Sequence, residues 1–238
     1  VPLTEIHRFA TLPSTQEEAH RLAAGGVPHG TAVVAGVQTA GRGTRGRRWV
    51  SPPGGLWMSV VCRPDSSATA AVASLRAGLA VAETLEREVQ GLGRVALKWP
   101  NDLLLQGRKL AGLLCEARWQ GDTPGWLVVG VGINVTNALP AEVQGSAIAI
   151  AQVAAVAGPD AVAEPVRAAI AAAVRQGGEL TEPERERFVA RNLLQGRTLS
   201  APVRGIVSGV GPNGALLVQE ASGVVAEVLD AQVEAGDG

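Results

Sequence analysis

Lysine is nearly missing from this 238-residue chain: of 21 basic residues, only Lys98 and Lys109 are lysines, and the other 19 are arginines. Basic and acidic residues almost cancel, for a net charge of −1, so a general polyanion binder gains no support and any anion site has to be local. Cysteine is also scarce. Cys62 and Cys115 both lie inside apolar, strand-like runs and read as small core residues, not as a disulfide, a metal pair or a nucleophile. The apolar stretches around 127–135 and 147–157 fall short of the roughly 20 residues that span a bilayer, and no charged-then-apolar signal opens the chain. The expectation is a cytoplasmic protein without a membrane partner. The phosphate-loop ending Gly-Lys-Ser/Thr does not occur, and Gly130-Val131-Gly132 has no third glycine opening a helix, so neither a P-loop nor a dinucleotide fingerprint is present. His7, His20 and His29 show no metal spacing and no triad partner, and each reads as structural or exposed.

What the chain does have is Gly41-Arg42-Gly43-Thr44-Arg45-Gly46-Arg47-Arg48-Trp49, with four arginines among three glycines. Glycine lets backbone approach a ligand closely, and the guanidinium groups repel one another until an anion neutralises them, so the loop reads as an anion clamp of the kind a nucleotide would order. A solvated basic turn or a nucleic-acid patch is the alternative for a bare run of arginines. Both lysines fall in one further segment, Lys98-Trp99-Pro100-Asn101-Asp102 through Arg108-Lys109-Leu110-Ala111-Gly112. A compact ammonium on a flexible stem suits a site that an arginine fork would not fit.

Taken in order, residues 5–10 form a short strand, and Pro13-Ser14-Thr15 opens a helix to about residue 24, with Ser14–Glu17 or Thr15–Glu18 as a capping box. A β-branched run over 31–38 delivers Gln38 into the arginine loop; 56–62 is a buried strand, and 68–89 a long helix. Strands over 94–98, 103–105, 110–119 and 126–135, separated by turns, make an antiparallel meander, with Asn101 and Asp102 at one turn. Gly130 and Gly132 suggest close approach of a ligand to that sheet. Alanine-rich helical patterns cover 146–157, 159–176 and 182–193. From Arg197 onward, short strands over 199–203, 205–208, 215–219 and 224–229 suggest an appended β-barrel, with loose residues after Val233.

With these motifs in this order the chain resembles the biotin protein ligases. The likeness rests on Ser14-Thr15-Gln16, Gln38 ahead of Gly-Arg-Gly, Lys-Trp-Pro-Asn-Asp, Arg108-Lys109-Leu110-Ala111-Gly112 and Gly130-Val131-Gly132-Ile133-Asn134, and spans almost the whole chain. It implies an α+β fold: a mixed, largely antiparallel sheet with helices in a class II synthetase-like catalytic domain over 1–194, and a small SH3-like β-barrel over 195–238. Lacking the helix-turn-helix domain of the larger members, the chain looks like the ligase-only type.

The activity the resemblance implies is formation of biotinyl-5'-AMP from biotin and ATP, then biotin transfer to a lysine of a biotin carboxyl carrier protein. Arg42 and Lys109 would be catalytic. Biotin would be held by Ser14, Thr15, Gln16, Gln38, Gly41, Arg42, Gly43, Thr44, Lys109, Gly112, Gly130 and Gly132, and the nucleotide by Arg45, Arg47, Trp49, Asn101 and Asn134. Asp102 is the candidate metal contact, through Mg²⁺ on ATP, or an orienting partner for Lys98. The family loop usually reads Gly-Arg-Gly-Arg, and Thr44 departs from it. DNA is not an expected partner, and a homodimer stays open. Lipoate ligation is the nearest alternative activity, and a non-enzymatic nucleic-acid binder using the basic loop is the alternative from another class.

Overall fold

The structure is a computed structural model that describes residues 5–229 and the backbone of 234 and 235. Seven strands form one mixed sheet: β1 (Ile6–Leu12), β2 (Ala32–Gln38), β3 (Leu56–Cys62), β4 (Val95–Lys98), β5 (Asp102–Leu105), β6 (Arg108–Gln120) and β7 (Thr123–Ile133), in the spatial order β1-β2-β3-β7-β6-β5-β4. Only β1 and β2 run parallel; every other neighbouring pair is antiparallel. The parallel pair needs a crossover, which helix α1 (Thr15–Ala24) supplies. The β5–β6 hairpin turns at Gln106-Gly107, both at positive φ as a tight two-residue hairpin requires.

Period-two alternation sorts the strand residues onto two faces. Leu56, Met58, Val60 and Cys62 of β3, with Val129, Val131 and Ile133 of β7, pack into the main core with helices α2 (Ser67–Glu88) and α3 (Asp160–Arg175). Val33, Val61 and Val128 point the other way and meet Ala19 and Ala23 of α1. Because α1 is short, it covers only part of that second face. The rest is left for a cavity.

Two loops roof the uncovered part. Residues 38–51 fold back as a small hairpin, bridged at Gln38 and Ser51 and again at Arg42 and Arg48, with Arg45 in the left-handed region at its tip. The connection after β7 runs back along the start of β6, where Lys109 N–H donates to the carbonyl of Ser146 and Ile148 N–H to that of Lys109. Here the structure corrects an expectation. Residues 146–157 form no α-helix; they hold a β-bridge at Ala147 and a single 3-10 turn, Ile150–Gln152, because their backbone groups bond to β6 and to Asn134. Local alanine propensity yields to these tertiary bonds.

Helix α4 (Glu182–Val189) is shorter than its pattern suggested, ending where 191–193 bond alongside β4. Beyond it five short antiparallel strands, β8 (Thr198–Ala201), β9 (Gly205–Val210), β10 (Leu216–Gln219), β11 (Val225–Val228) and β12 (Glu234–Ala235), form a second sheet in the order β11-β10-β9-β8-β12. β12 pairs with β8 where the sequence suggested loose chain; residues 230–233 and 236–238 lie outside those described. Trp99 Nε1 donates to the carbonyl of Gly214, tying this sheet to the turn ahead of β5.

Helix α2 is long and apolar enough to cross a membrane by length and composition, but 67% of its most apolar stretch is buried inside the fold. Cys62 and Cys115 are free thiols, and burial pushes both up, Cys115 to about 12, which suits packing and not nucleophilic chemistry.

Candidate active site

The cavity on the second face of the large sheet has a volume of about 670 Å³. Its floor is laid out in rows across β3, β7 and β6: Trp57 beside Gly132 beside Gly112, then Ser59 beside Gly130 beside Leu114. The three glycines are demanded by what lies over them. A Cβ on Gly130 would come within 2.5 Å of Gln16 Oε1, and one on Gly132 within 2.6 Å of Trp49 Nε1; Gly112 lies under the same indole. The close approach foreseen at this pair is therefore made by the protein's own side chains.

At one end the polar groups form a closed network. Ser14 caps α1 by accepting from the Gln16 N–H at 3.2 Å; the expected capping boxes are not formed, and Glu18 instead pairs with Arg21. Gln38 Oε1 accepts from the N–H of Thr15 at 2.8 Å and lies 3.1 Å from its hydroxyl, while Gln38 Nε2 donates to Ser51 Oγ at 2.8 Å. Gln16 Nε2 donates to the carbonyls of Val128 and Leu114, and its Oε1 accepts from Ser59 Oγ at 3.0 Å. Ser51 Oγ in turn donates to the Trp49 carbonyl, so the network runs from α1 into the arginine loop.

Charged groups lie on both sides of that network: Lys109 stands beyond the Gly112 row, and Arg42 reaches Glu116, beyond the Leu114 row. Lys109 Nζ sits 2.7 Å from Asp102 Oδ1 and 5.2 Å from the centre of the Trp49 ring, a cation–π contact. Asp102 opens β5 and is thus not a turn residue, and although Lys98 is its cross-strand neighbour, its ion pair is with Lys109. Arg42 Nη2 donates to Glu116 Oε1 at 2.7 Å, and Arg47 Nη2 to Thr44 Oγ1 at 3.1 Å. Trp49 stands edge-on to Trp57, centres 6.5 Å apart, with its own N–H buried and lacking an acceptor. A buried donor of that kind is costly and is an opening for a ligand acceptor.

A family model described as the biotin/lipoate A/B protein ligase family matches residues 9–134, which include every strand of this floor. The chain belongs to that family. Among its relatives, the bifunctional ligase/repressor BirA of Bacillus subtilis is 41% identical over 148 residues, 60% of this chain and 45% of that protein. The biotin--[acetyl-CoA-carboxylase] ligase of Paracoccus denitrificans is 41% identical over 131 residues, 55% of this chain and 54% of that protein. The chain thus spans about half the length of these curated relatives. Among solved structures, the biotin protein ligase from Aquifex aeolicus in complex with biotin and ATP superposes with a TM-score of 0.79 at 27% identity, covering 99% of this chain and 100% of that one.

Of the residues the motifs of this ligase family single out, Ser14, Thr15, Gln16, Gln38, Arg42, Gly43, Thr44, Arg47, Trp49, Asn101, Asp102, Lys109, Gly112, Gly130, Gly132 and Asn134 all line the one cavity. Gly41 and Arg45 do not. Gly41 underlies the loop instead, where a Cβ would meet the Trp49 carbonyl at 2.4 Å, and Arg45 sits at the hairpin tip. Asn101 Nδ2 donates to the Leu113 carbonyl, and Asn134 Oδ1 accepts from Asn137 Nδ2. Sequence reasoning missed Ser59, the lone polar residue in the buried run Leu56–Cys62, which was itself the signal. Arg48, which the sequence marks in the arginine loop without a role, lines the cavity too, and so do Asn137, Leu139, Pro140, Glu142 and Val143 of the roof, which carry no mark of their own. Among the described residues no three His, Cys, Asp or Glu side chains gather as a metal site.

Proposed function

We propose that the chain joins biotin to ATP, giving biotinyl-5'-AMP and pyrophosphate, and passes the biotinyl group to a lysine of a biotin carboxyl carrier domain. The observation that carries this reading is the division of one cavity into a closed polar network at one end and Lys109 at the other, with Arg42 also in its lining. Biotin has the same division: a ureido ring, an apolar body and a carboxylate. The ureido group meets the polar end, where Ser14, Thr15, Gln38 and Ser59 offer donors and acceptors, and the glycine-floored middle takes the apolar body.

The carboxylate then attacks the α-phosphorus of ATP. A carboxylate–phosphorus bond forms, the α–β phosphoanhydride bond breaks, and pyrophosphate leaves. Two anions are brought together, so charge neutralisation by Arg42 and Lys109 is the main catalytic need. Mg²⁺ enters on the phosphates of ATP; Asp102 fits the small carboxylate share that a protein gives that ion, and a protein-held metal cage is not required. In the second step the carrier's amine attacks the acyl carbon, forming an amide and releasing AMP, with no enzyme nucleophile. The relatives' names, among them biotin--[acetyl-CoA-carboxylase] ligase, support a carrier of this kind.

Pyrophosphate release with biotin, ATP and Mg²⁺, and then label transfer to a biotin carboxyl carrier domain, tests the reading. Biotin-dependent release followed by label on the carrier is expected. Release that follows lipoate and not biotin, or none with either acid, overturns it.

A further inference from the structure

Glu116 meets the arginine loop from outside the motifs. It lies on β6, two residues past Leu114 on the same face, cross-strand from Val128. One carboxylate oxygen accepts from Arg42 at 2.7 Å, and the other lies 3.3 Å from Nε2 of His20 on α1. On the far side of the imidazole, Trp126 Nε1 of β7 donates to His20 Nδ1 at 3.0 Å.

The indole nitrogen can only donate, so Nδ1 has to carry the lone pair and Nε2 the proton. The neutral tautomer is thereby fixed, and its N–H is aimed at Glu116. Burial, then the nearby Arg118, holds the imidazole below its ordinary value against the pull of Glu116, which keeps it in that form near neutral pH. Glu116 is in turn held from two sides. Its side chain is 21% exposed and that of Arg42 43%, so the pair is half-wet and the arginine keeps most of its N–H donors for the cavity that it lines.

From this chain of contacts we infer that Glu116, held by His20 and Trp126, is a positioning residue that aims Arg42 into the cavity. Nothing in the proposed chemistry needs a carboxylate there, since Glu116 does not line the cavity. What the relay supplies is a fixed rotamer. An arginine on a glycine-flanked loop would otherwise pay to be ordered each time a substrate arrives, and the anchor pays that cost ahead of binding.

The inference rests on the proposed activity for its kinetic consequence and not for its structural one, and two readouts keep them apart. In the protein without ligands, amide hydrogen exchange over 41–49 is expected to quicken in Glu116→Gln while β3 is unchanged; an unchanged loop overturns the inference whatever the activity. In pyrophosphate release, Glu116→Gln is expected to raise the KM for biotin about tenfold, and to add nothing in an Arg42→Ala background. His20→Leu reproduces part of the effect, and His20→Gln, which keeps an N–H toward the carboxylate, recovers most of it. A wild-type KM in Glu116→Gln, or an effect that simply adds to that of Arg42→Ala, also overturns the inference. A wild-type protein that releases no pyrophosphate defeats the proposed activity alone and leaves the exchange experiment to decide on the relay.

Discussion

Thr15, Gln16 and Ser59, at the polar end of the cavity, are almost fully buried, and they are bonded to one another or to backbone groups of β6 and β7. At the other end Lys109 is part-exposed and paired with Asp102, while Arg42, beside the polar network, is part-exposed and paired with Glu116. The polar network is dear to disturb, since breaking it strands buried donors and acceptors, whereas Lys109 can exchange one charged partner for another at little cost. Recognition of a neutral ring can therefore be built in advance. In the proposed reaction, handling of two anions falls to Lys109, which can re-pair as charge arrives and departs, and to Arg42, which Glu116 holds in place.

The largest effect is expected at the charged groups. Lys109→Ala and Arg42→Ala should each cut biotin-dependent pyrophosphate release by roughly 10- to 150-fold, the worth of one charge-assisted hydrogen bond, with the fold intact by circular dichroism. Near-wild-type turnover in a folded variant would erase the distinction between the ends.

Thr44 sharpens the comparison next. Its hydroxyl serves Arg47 and is too short to reach across the cavity, and Arg45, the next arginine, does not line it. Thr44→Arg should slow escape of preformed biotinyl-5'-AMP by about one to two orders of magnitude, with little gain in its rate of formation. A dissociation rate equal to that of the parent would mean that this position never meets the intermediate.

A smaller change is expected at the polar end. Ser59→Ala removes the donor to Gln16 Oε1 and loosens one node of a network whose other bonds survive, for about 1 kcal/mol. Biotin affinity by calorimetry should fall about fivefold while the response to ATP concentration is unchanged. Equal loss for both substrates would show that the two ends do not act separately.

The smallest effect is on stability and belongs to the frame. His29 is held between the Arg63 N–H at Nδ1 and the Ala171 carbonyl at Nε2, and burial sets it, like His20, below its ordinary 6.5. A depressed folded value means that the unfolded chain binds more protons, so stability present above about pH 6.5 declines as the pH falls toward the folded values. A second decline follows below the ordinary 4.5 of glutamate. Burial pushes Glu184 up, but Arg76 and Thr181 outweigh it and the net direction is down. Urea unfolding across this range should show both stages; stability that is flat or rising between about pH 7 and 5 would contradict the histidine assignment.

Much of this fold was legible because short apolar runs bounded by glycine and proline turns mark β3, β6 and β7, and β3 runs over the very residues its pattern marks. Residues 146–157 misled because helix propensity, even that of alanine, is outweighed by tertiary bonds, and their backbone partners are Lys109 of β6 and Asn134 and Val135 just past β7. At the site, Gly130 and Gly132 announced close approach, but not that Gln16 and Trp49 are what approaches; that contact spans more than eighty residues and has no local trace. The same holds for Arg42 and Glu116, 74 positions apart.

Amide hydrogen exchange with and without biotin and ATP compares the two ends most directly. The account predicts that segments 41–49 and 136–145 exchange faster than 56–62 in the free protein, 41–49 more slowly than in Glu116→Gln, and that both become protected when both ligands are present, while 56–62, carrying Ser59, is slow in both states. A loop as protected as that strand before ligand arrives, or one that ligands leave unchanged, would contradict it.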